Sequence, residues 1–159
     1  MSATDPDSGR ATGVVLYADT SFLISLFVKD SNTTQARAEL ASLGSPLGVS
    51  PLGRLEFRTA ILQRVGRGDL ELTAAARVFL SLERLFEEGY FVDLQEDPGK
   101  TWEEAHRVSD RQTASLALRS LDIWHLGFAL VSGATKVCTF DERMRRGAKA
   151  EGMGVVPGK

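Results

Sequence analysis

Apolar runs and helically spaced stretches alternate along this chain. "VVLYAD" at residues 14–19 is apolar up to its last position, which suits a strand buried on both faces of a parallel sheet rather than a half-exposed one. "SFLISLF" and "TTQARAELASL" follow with helical spacing, separated by "KDSN", where Ser31 or Asn32 is placed to cap the second helix. "PLGVS" reads as a short strand, and Ser50-Pro51 supplies an N-cap with proline at the first helical position, predicting a helix through about Arg64. Gly66 and Gly68 break that pattern, and Thr73 opens the amphipathic stretch "TAAARVFLSLERLFEEG". "YFVDL" is another strand, and a helix starts near Pro98. "TASLALRSLDIWHLGFALVSGA" predicts a helical pair or a broken helix, "KVCTF" a strand, "DERMRRGAKAEG" a helix and "MGVV" a last strand.

Strands alternating with helices predict an α/β sandwich with a largely parallel sheet and right-handed crossovers. Ligands of such sheets collect outside the carboxyl ends of the strands, where strand order reverses. Asp19 stands at one such end and Asp141 at another, directly after "KVCTF". Two further acids interrupt apolar helical stripes. Glu56 lies among Leu52, Leu55, Phe57, Ala60 and Ile61, and Asp122 among Leu121, Ile123, Trp124, Leu126 and Phe128. Taken singly, each acid is explained by a helix cap or an arginine partner. Taken together, they suggest a site.

Composition narrows the classes. The 159 residues suit one domain with one well-buried core, and the 43% hydrophobic and 25% charged content is that of a globular protein. No apolar run reaches the ~20 residues that span a bilayer, so no membrane insertion is expected. Residues 1–13 are polar and rich in small residues, which predicts a disordered N-terminal extension rather than a signal peptide. Cys138 is the only cysteine, which excludes an intrachain disulfide and points to a reducing, cytoplasmic compartment, with the thiol a buried spectator. The net charge of −2 decides nothing, but local charge does. Residues 54–67 and 136–149 are each locally +3, whereas residues 83–104 are locally −6 and would repel a polyanion. No phosphate-binding glycine loop occurs, and position 21 is Ser where a haloacid-dehalogenase-like phosphatase needs a second Asp.

Asp19 in "YADTSFLISLF", Glu56 in "SPLGRLEFRTAI", Asp122 in "RSLDIWHLGFAL" and Asp141 in "VCTFDERMRRGAKAEGMGVV" resemble, in order and surroundings, the four acidic motifs of PIN-domain ribonucleases of the VapC toxin type. The resemblance covers residues 14–156 and implies a PIN-like three-layer α/β/α sandwich with a mainly parallel sheet of four to five strands, the PIN domain running over residues 14–157. It also implies a Mg²⁺- or Mn²⁺-dependent endoribonuclease acting as the toxin of a toxin–antitoxin pair. Asp19, Glu56, Asp122 and Asp141 are the expected catalytic and metal-binding residues. Hard oxygen ligands with no Cys or His cluster select Mg²⁺ or Mn²⁺ over zinc, and four carboxylates gathered within about 5 Å would repel by roughly 3 kcal/mol per pair without a cation. Thr20, Ser21 and Thr139 are expected to orient those carboxylates or to cap helices and turns. Arg119, Arg143, Arg145 and Arg146 are candidates for holding the RNA backbone.

Other polar and aromatic residues receive more ordinary assignments. His125 follows Asp122 by one helical turn and is expected to be a packed, locally hydrogen-bonded histidine, and His106 to be solvated. Core or interface packing is expected of Trp102 and Trp124. Amphipathic helices at 34–43 and 73–88, together with the resemblance, predict a homodimer. The expected cognate antitoxin packs a helix near residues 22–43 and sends an Arg or Lys to Asp19 and its neighbours. The non-enzymatic alternative is an inactive PIN-like module that uses the acidic pocket to hold a basic partner peptide.

Overall fold

The computed structural model describes residues 15–158; the expected N-terminal extension at 1–13 lies outside them. The elements run β1 (Val15–Ala18), α1 (Thr20–Phe27), α2 (Thr33–Ser42), β2 (Leu47–Val49), α3 (Pro51–Gly66), α4 (Leu72–Glu87), β3 (Phe91–Asp93), α5 (Pro98–Leu116), α6 (Ser120–Val131), β4 (Ala134–Cys138), α7 (Glu142–Ala150) and β5 (Gly154–Val156). The five strands form one all-parallel sheet in the order β3-β2-β1-β4-β5. This is the α/β/α sandwich expected, with the upper of the two strand counts.

Period-two alternation divides the apolar residues between two cores. Leu16 and Ala18 of β1 face a core built with Phe22, Leu26, Phe57, Ile61 and Leu82, so α1–α4 cover one face of the sheet. Tyr17 faces the opposite way, with Val137 of β4, onto Val108, Leu126, Phe128 and Met144 of α5–α7. Phe22 and Phe57 are completely buried. Removing each from water contributes roughly 1.5–3 kcal/mol.

Local chemistry sets the helix ends. Ser50 Oγ accepts from the Gly53 amide at 2.9 Å with Pro51 in the first turn, as the sequence predicts. Asp97 caps α5 in the same way through the Lys100 amide. α2 differs. Neither Ser31 nor Asn32 caps it with a side chain; Asp30 does that work, accepting from the Asn32 amide at 2.8 Å while its own amide donates to Thr33 Oγ1. The broken helix resolves into α5 and α6, with Ala117 left-handed at φ 52 between them. The two then cross at backbone contact, since a Cβ on Gly127 would lie 2.7 Å from the Ala105 nitrogen.

Two surface expectations change. α2 fully buries only Thr33 and Ala36 and lacks the broad apolar face expected at 34–43, while α4 leaves Leu72 and Leu80 exposed. Trp124 is buried and stacks on Phe128, but Trp102 is 57% exposed and belongs to neither core. Among the described residues no helix is long and apolar enough to cross a membrane.

Candidate functional site: an acidic cavity at the strand switch

The chain runs outward from β1 through β2 to β3, then crosses back to β4 and β5 on the other side, so strand order reverses between β1 and β4. There, outside the carboxyl ends of the strands, a cavity of about 480 Å³ opens. Asp19, Glu56, Asp122 and Asp141 all line it. Asp19 follows the last residue of β1, Glu56 comes from the second turn of α3, Asp122 from the first turn of α6, and Asp141 is the N-cap of α7. Up to 122 positions of sequence separate the four.

Each carboxylate is held mainly through one of its oxygens. Asp19 Oδ2 accepts from the hydroxyls of Ser21 and Thr139, both at 2.7 Å. Those hydroxyls are fixed in turn, Ser21 Oγ by the Phe140 amide and Thr139 Oγ1 by the Asp141 amide, each at 3.0 Å. Glu56 Oε2 accepts from Thr20 Oγ1 at 2.7 Å and lies 2.6 Å from His125 Nε2. Asp122 Oδ2 accepts from the Arg119 amide at 3.0 Å and from its Nε at 3.3 Å. Asp141 Oδ1 caps α7 by taking the Arg143 and Met144 amides, while its Oδ2 faces Arg119 Nη2 at 3.5 Å.

Electrostatics follow these contacts. Burial works to raise the affinity of Glu56 for a proton, but the hydrogen bonds from His125 and the Thr20 hydroxyl outweigh it and hold the carboxyl below its ordinary range. Burial pushes the Tyr17 phenol well above its usual value; the Ser50 hydrogen bond opposes this and the Asp19 and Glu56 charges add to it. Burial likewise pushes the Cys138 thiol up to about 12, as befits an inert core residue.

The acids share a cavity without forming the tight cluster expected from sequence. Among the described residues no three His, Cys, Asp or Glu side chains stand close enough to hold one ion. The reason is visible in the partners: Arg119 lies between Asp122 and Asp141, and His125 and three hydroxyls engage the rest. The donor set nevertheless fits a hard divalent cation, because all four acids offer oxygen and the hydrogen bonds to Asp19, Glu56 and Asp122 each fall on a single oxygen.

Thr20 and Ser21 line the cavity, with Thr139 buried behind Asp19. Arg119 pairs with two acids at the rim, its side chain 60% exposed. Arg143 is half-buried, and exposed Arg146 donates to the Glu142 carbonyl at 3.3 Å. Arg145 is a correction. It is 5% exposed and its guanidinium donates to the carbonyls of Thr139 at 3.1 Å and Pro157 at 2.8 Å, so it clamps two chain segments instead of presenting its charge on the surface.

The sequence predicts a packed, locally hydrogen-bonded His125, whereas its hydrogen bonds reach far along the chain. It is packed, at 3% exposure, yet its ring bridges Glu56 and Tyr17 and lines the cavity. The i,i+3 spacing from Asp122 was the available signal. Ser120 and Leu121, which also line the cavity, have no such mark in the sequence.

No curated protein sequence matches this chain significantly. Among solved structures it is similar to PAE2754 of Pyrobaculum aerophilum, at 21% identity over 90% of each chain with a TM-score of 0.60. It is similar to VapC20 of Mycobacterium tuberculosis, described as a sarcin-ricin loop cleaving toxin, at 20% identity over 87% of this chain and 95% of that one, TM-score 0.62. FitAcB of Neisseria gonorrhoeae is a third, at 15% identity over 89% of this chain and 96% of that one, TM-score 0.61. At such identities these likenesses establish the fold. The PIN domain family model, however, matches residues 16–150, from β1 through α7 and across all four acids, and the chain therefore belongs to the PIN domain family.

Proposed function

We propose that this chain is a Mg²⁺- or Mn²⁺-dependent endoribonuclease and the toxin of a toxin–antitoxin pair, with residues 14–157 as its PIN domain. The observation that carries the reading is the meeting of Asp19, Glu56, Asp122 and Asp141 in one cavity at the strand switch. Family membership supports nuclease chemistry, and likeness to a toxin that cleaves the sarcin-ricin loop supports RNA as the substrate.

In this reading Asp19, Glu56, Asp122 and Asp141 would hold the cation, which would supply an activated water and charge neutralisation at the scissile phosphate. The surrounding residues aim them. Ser21 and Thr139 tie up Asp19 Oδ2, while Thr20 and His125 tie up Glu56 Oε2, leaving the other oxygen of each acid for the ligand. Arg119 at the rim, with Arg143 and Arg146 beyond it, takes the RNA phosphates by charge-assisted hydrogen bonds. The test is cleavage of an RNA panel. Products should form with Mn²⁺ or Mg²⁺, vanish with chelator and be missing for Asp19→Asn. Cleavage that ignores chelator or survives that substitution would overturn the proposal.

A guanidinium already pairs with Asp122 and Asp141 at the rim of this cavity, which supports an antitoxin whose Arg or Lys enters the same place in competition with the cation. Titrating Mn²⁺ into the purified complex should then restore cleavage, and inhibition indifferent to metal would refute the competition. The exposed Leu72 and Leu80 of α4 support self-association as a homodimer. Light scattering that gave a 17.3 kDa particle at micromolar concentrations would count against the dimer.

A further inference from the structure

Tyr17, Ser50 and His125 are 0%, 0% and 3% exposed, so every polar atom they carry must find its partner inside the protein. Their contacts form one line. The Gly53 amide donates to Ser50 Oγ at 2.9 Å, Ser50 Oγ lies 2.9 Å from the Tyr17 hydroxyl, that hydroxyl meets His125 Nδ1, and His125 Nε2 lies 2.6 Å from Glu56 Oε2.

Donor accounting leaves a neutral imidazole one order. Glu56 is a carboxylate and accepts, so Nε2 must bring the proton to it. Nδ1 is then an acceptor, which obliges the Tyr17 O–H to donate to it. The Tyr17 oxygen can accept from Ser50, whose oxygen is already occupied by the Gly53 N–H and whose own proton is therefore available. In the reverse order Tyr17 would donate to Ser50, Nδ1 would carry the proton, and a bare Nε2 would face a carboxylate at 2.6 Å.

The geometry points to Tyr17 as a positioning residue: through Ser50 and His125 it fixes the Nε2–H tautomer, and that proton, together with the Thr20 hydroxyl, pins Glu56 Oε2 and leaves Oε1 to the cavity. The placement joins all three elements concerned. Tyr17 sits two residues before Asp19 on β1, Ser50 caps the helix that carries Glu56, and His125 shares α6 with Asp122. The nuclease reading is needed only for what Glu56 then does; the donor order stands or falls without it.

The test is ¹⁵N–¹H correlation of the histidine rings in the metal-free, ¹⁵N-labelled full chain. It holds only two histidines, and His106→Gln assigns them. His125 should carry its ring proton on Nε2, with Nδ1 accepting a hydrogen bond. In Tyr17→Phe the Nδ1 resonance should move to the position of an unbonded nitrogen, kcat on RNA should fall by about 10-fold, and KM for RNA should hold within about twofold. A wild-type ring protonated at Nδ1 overturns the proposal by itself, whether or not Tyr17→Phe folds. A folded Tyr17→Phe with an unchanged ring spectrum and a lower thermal midpoint alone also overturns it, leaving Tyr17 a packing residue. A chain inactive on every RNA would sink the nuclease reading while the spectrum still decided the donor order.

Discussion

Replacing Arg145 by Ala should separate an architectural arginine from those proposed to face RNA. Its side chain is 6% exposed and donates to the carbonyls of Thr139 and Pro157, with Glu142 3.6 Å away. Hydrogen bonds from a charged group contribute roughly 1.5–3 kcal/mol each, and truncation also leaves two carbonyls without their donor. The 64%-exposed Glu142 adds little in solvent. The expected loss is about 4 kcal/mol, a large part of the roughly 5–15 kcal/mol that stabilises an ordinary domain. In urea, with a slope of about 2 kcal/mol per molar, the midpoint should fall by on the order of 2 M. Arg145→Lys should lose about half as much, because one ammonium cannot fork to both carbonyls. RNA affinity measured in the cold, where the Ala variant is still folded, should hold within about twofold, whereas Arg119→Ala should weaken it. A Ala variant as stable as wild type within about 0.5 kcal/mol that had lost RNA binding would refute the clamp.

Asp19→Asn should abolish cleavage while circular dichroism and the thermal midpoint stay near wild type, since an amide oxygen still accepts from Ser21 and Thr139; lost folding would mark Asp19 as structural. The depressed carboxyl of Glu56 stabilises the fold above its unfolded value of about 4.3 and that contribution disappears as pH falls through the lower folded value. Urea titrations at a series of acid pH values in chelator should therefore show a shallower loss for Glu56→Gln than for wild type, and identical slopes would contradict the assignment. Gly127→Ala should cost about 2 kcal/mol or more, because the new methyl meets the α5 backbone at 2.7 Å rather than a side chain that can move; a neutral effect would mean that α5 and α6 separate easily.

What was legible in the sequence was whatever rests on local rules. Ser50-Pro51 marked the start of α3, and the apolar runs before Asp19 and Thr139 marked buried parallel strands. Glu56 and Asp122 stood out because an apolar stripe gives a carboxylate no reason to be there, and Asp19 and Asp141 because each ends a strand-like apolar run. What was not legible depends on partners far away in sequence. Arg145 reads as one of a basic run until the Thr139 and Pro157 carbonyls close over it, and Asp30 reads as loop until it takes the Asn32 amide. His125 needs Tyr17, 108 positions away, to become more than packing. Arg54 belongs to a segment that is locally +3, yet it is spent on Asp93 and Glu83 and lies over the Phe86 ring, so local charge overstated the basic surface.

The register of β1 against β4 sets when the site can exist. Tyr17 pairs with Val137 and Ala18 with Cys138, and Thr139 reaches across 120 positions to hold Asp19. A chain emerging from the ribosome can pair β1 with β2 early, but until β4 and the start of α7 have followed, the central strand has an open edge, Asp19 lacks one of its two hydroxyls and Asp141 is missing. Such long-range parallel pairing closes late because loop entropy must be overcome first. Incomplete chains therefore carry helices and half a sheet but no assembled acidic cavity, so whatever activity resides there is withheld until synthesis has passed residue 141.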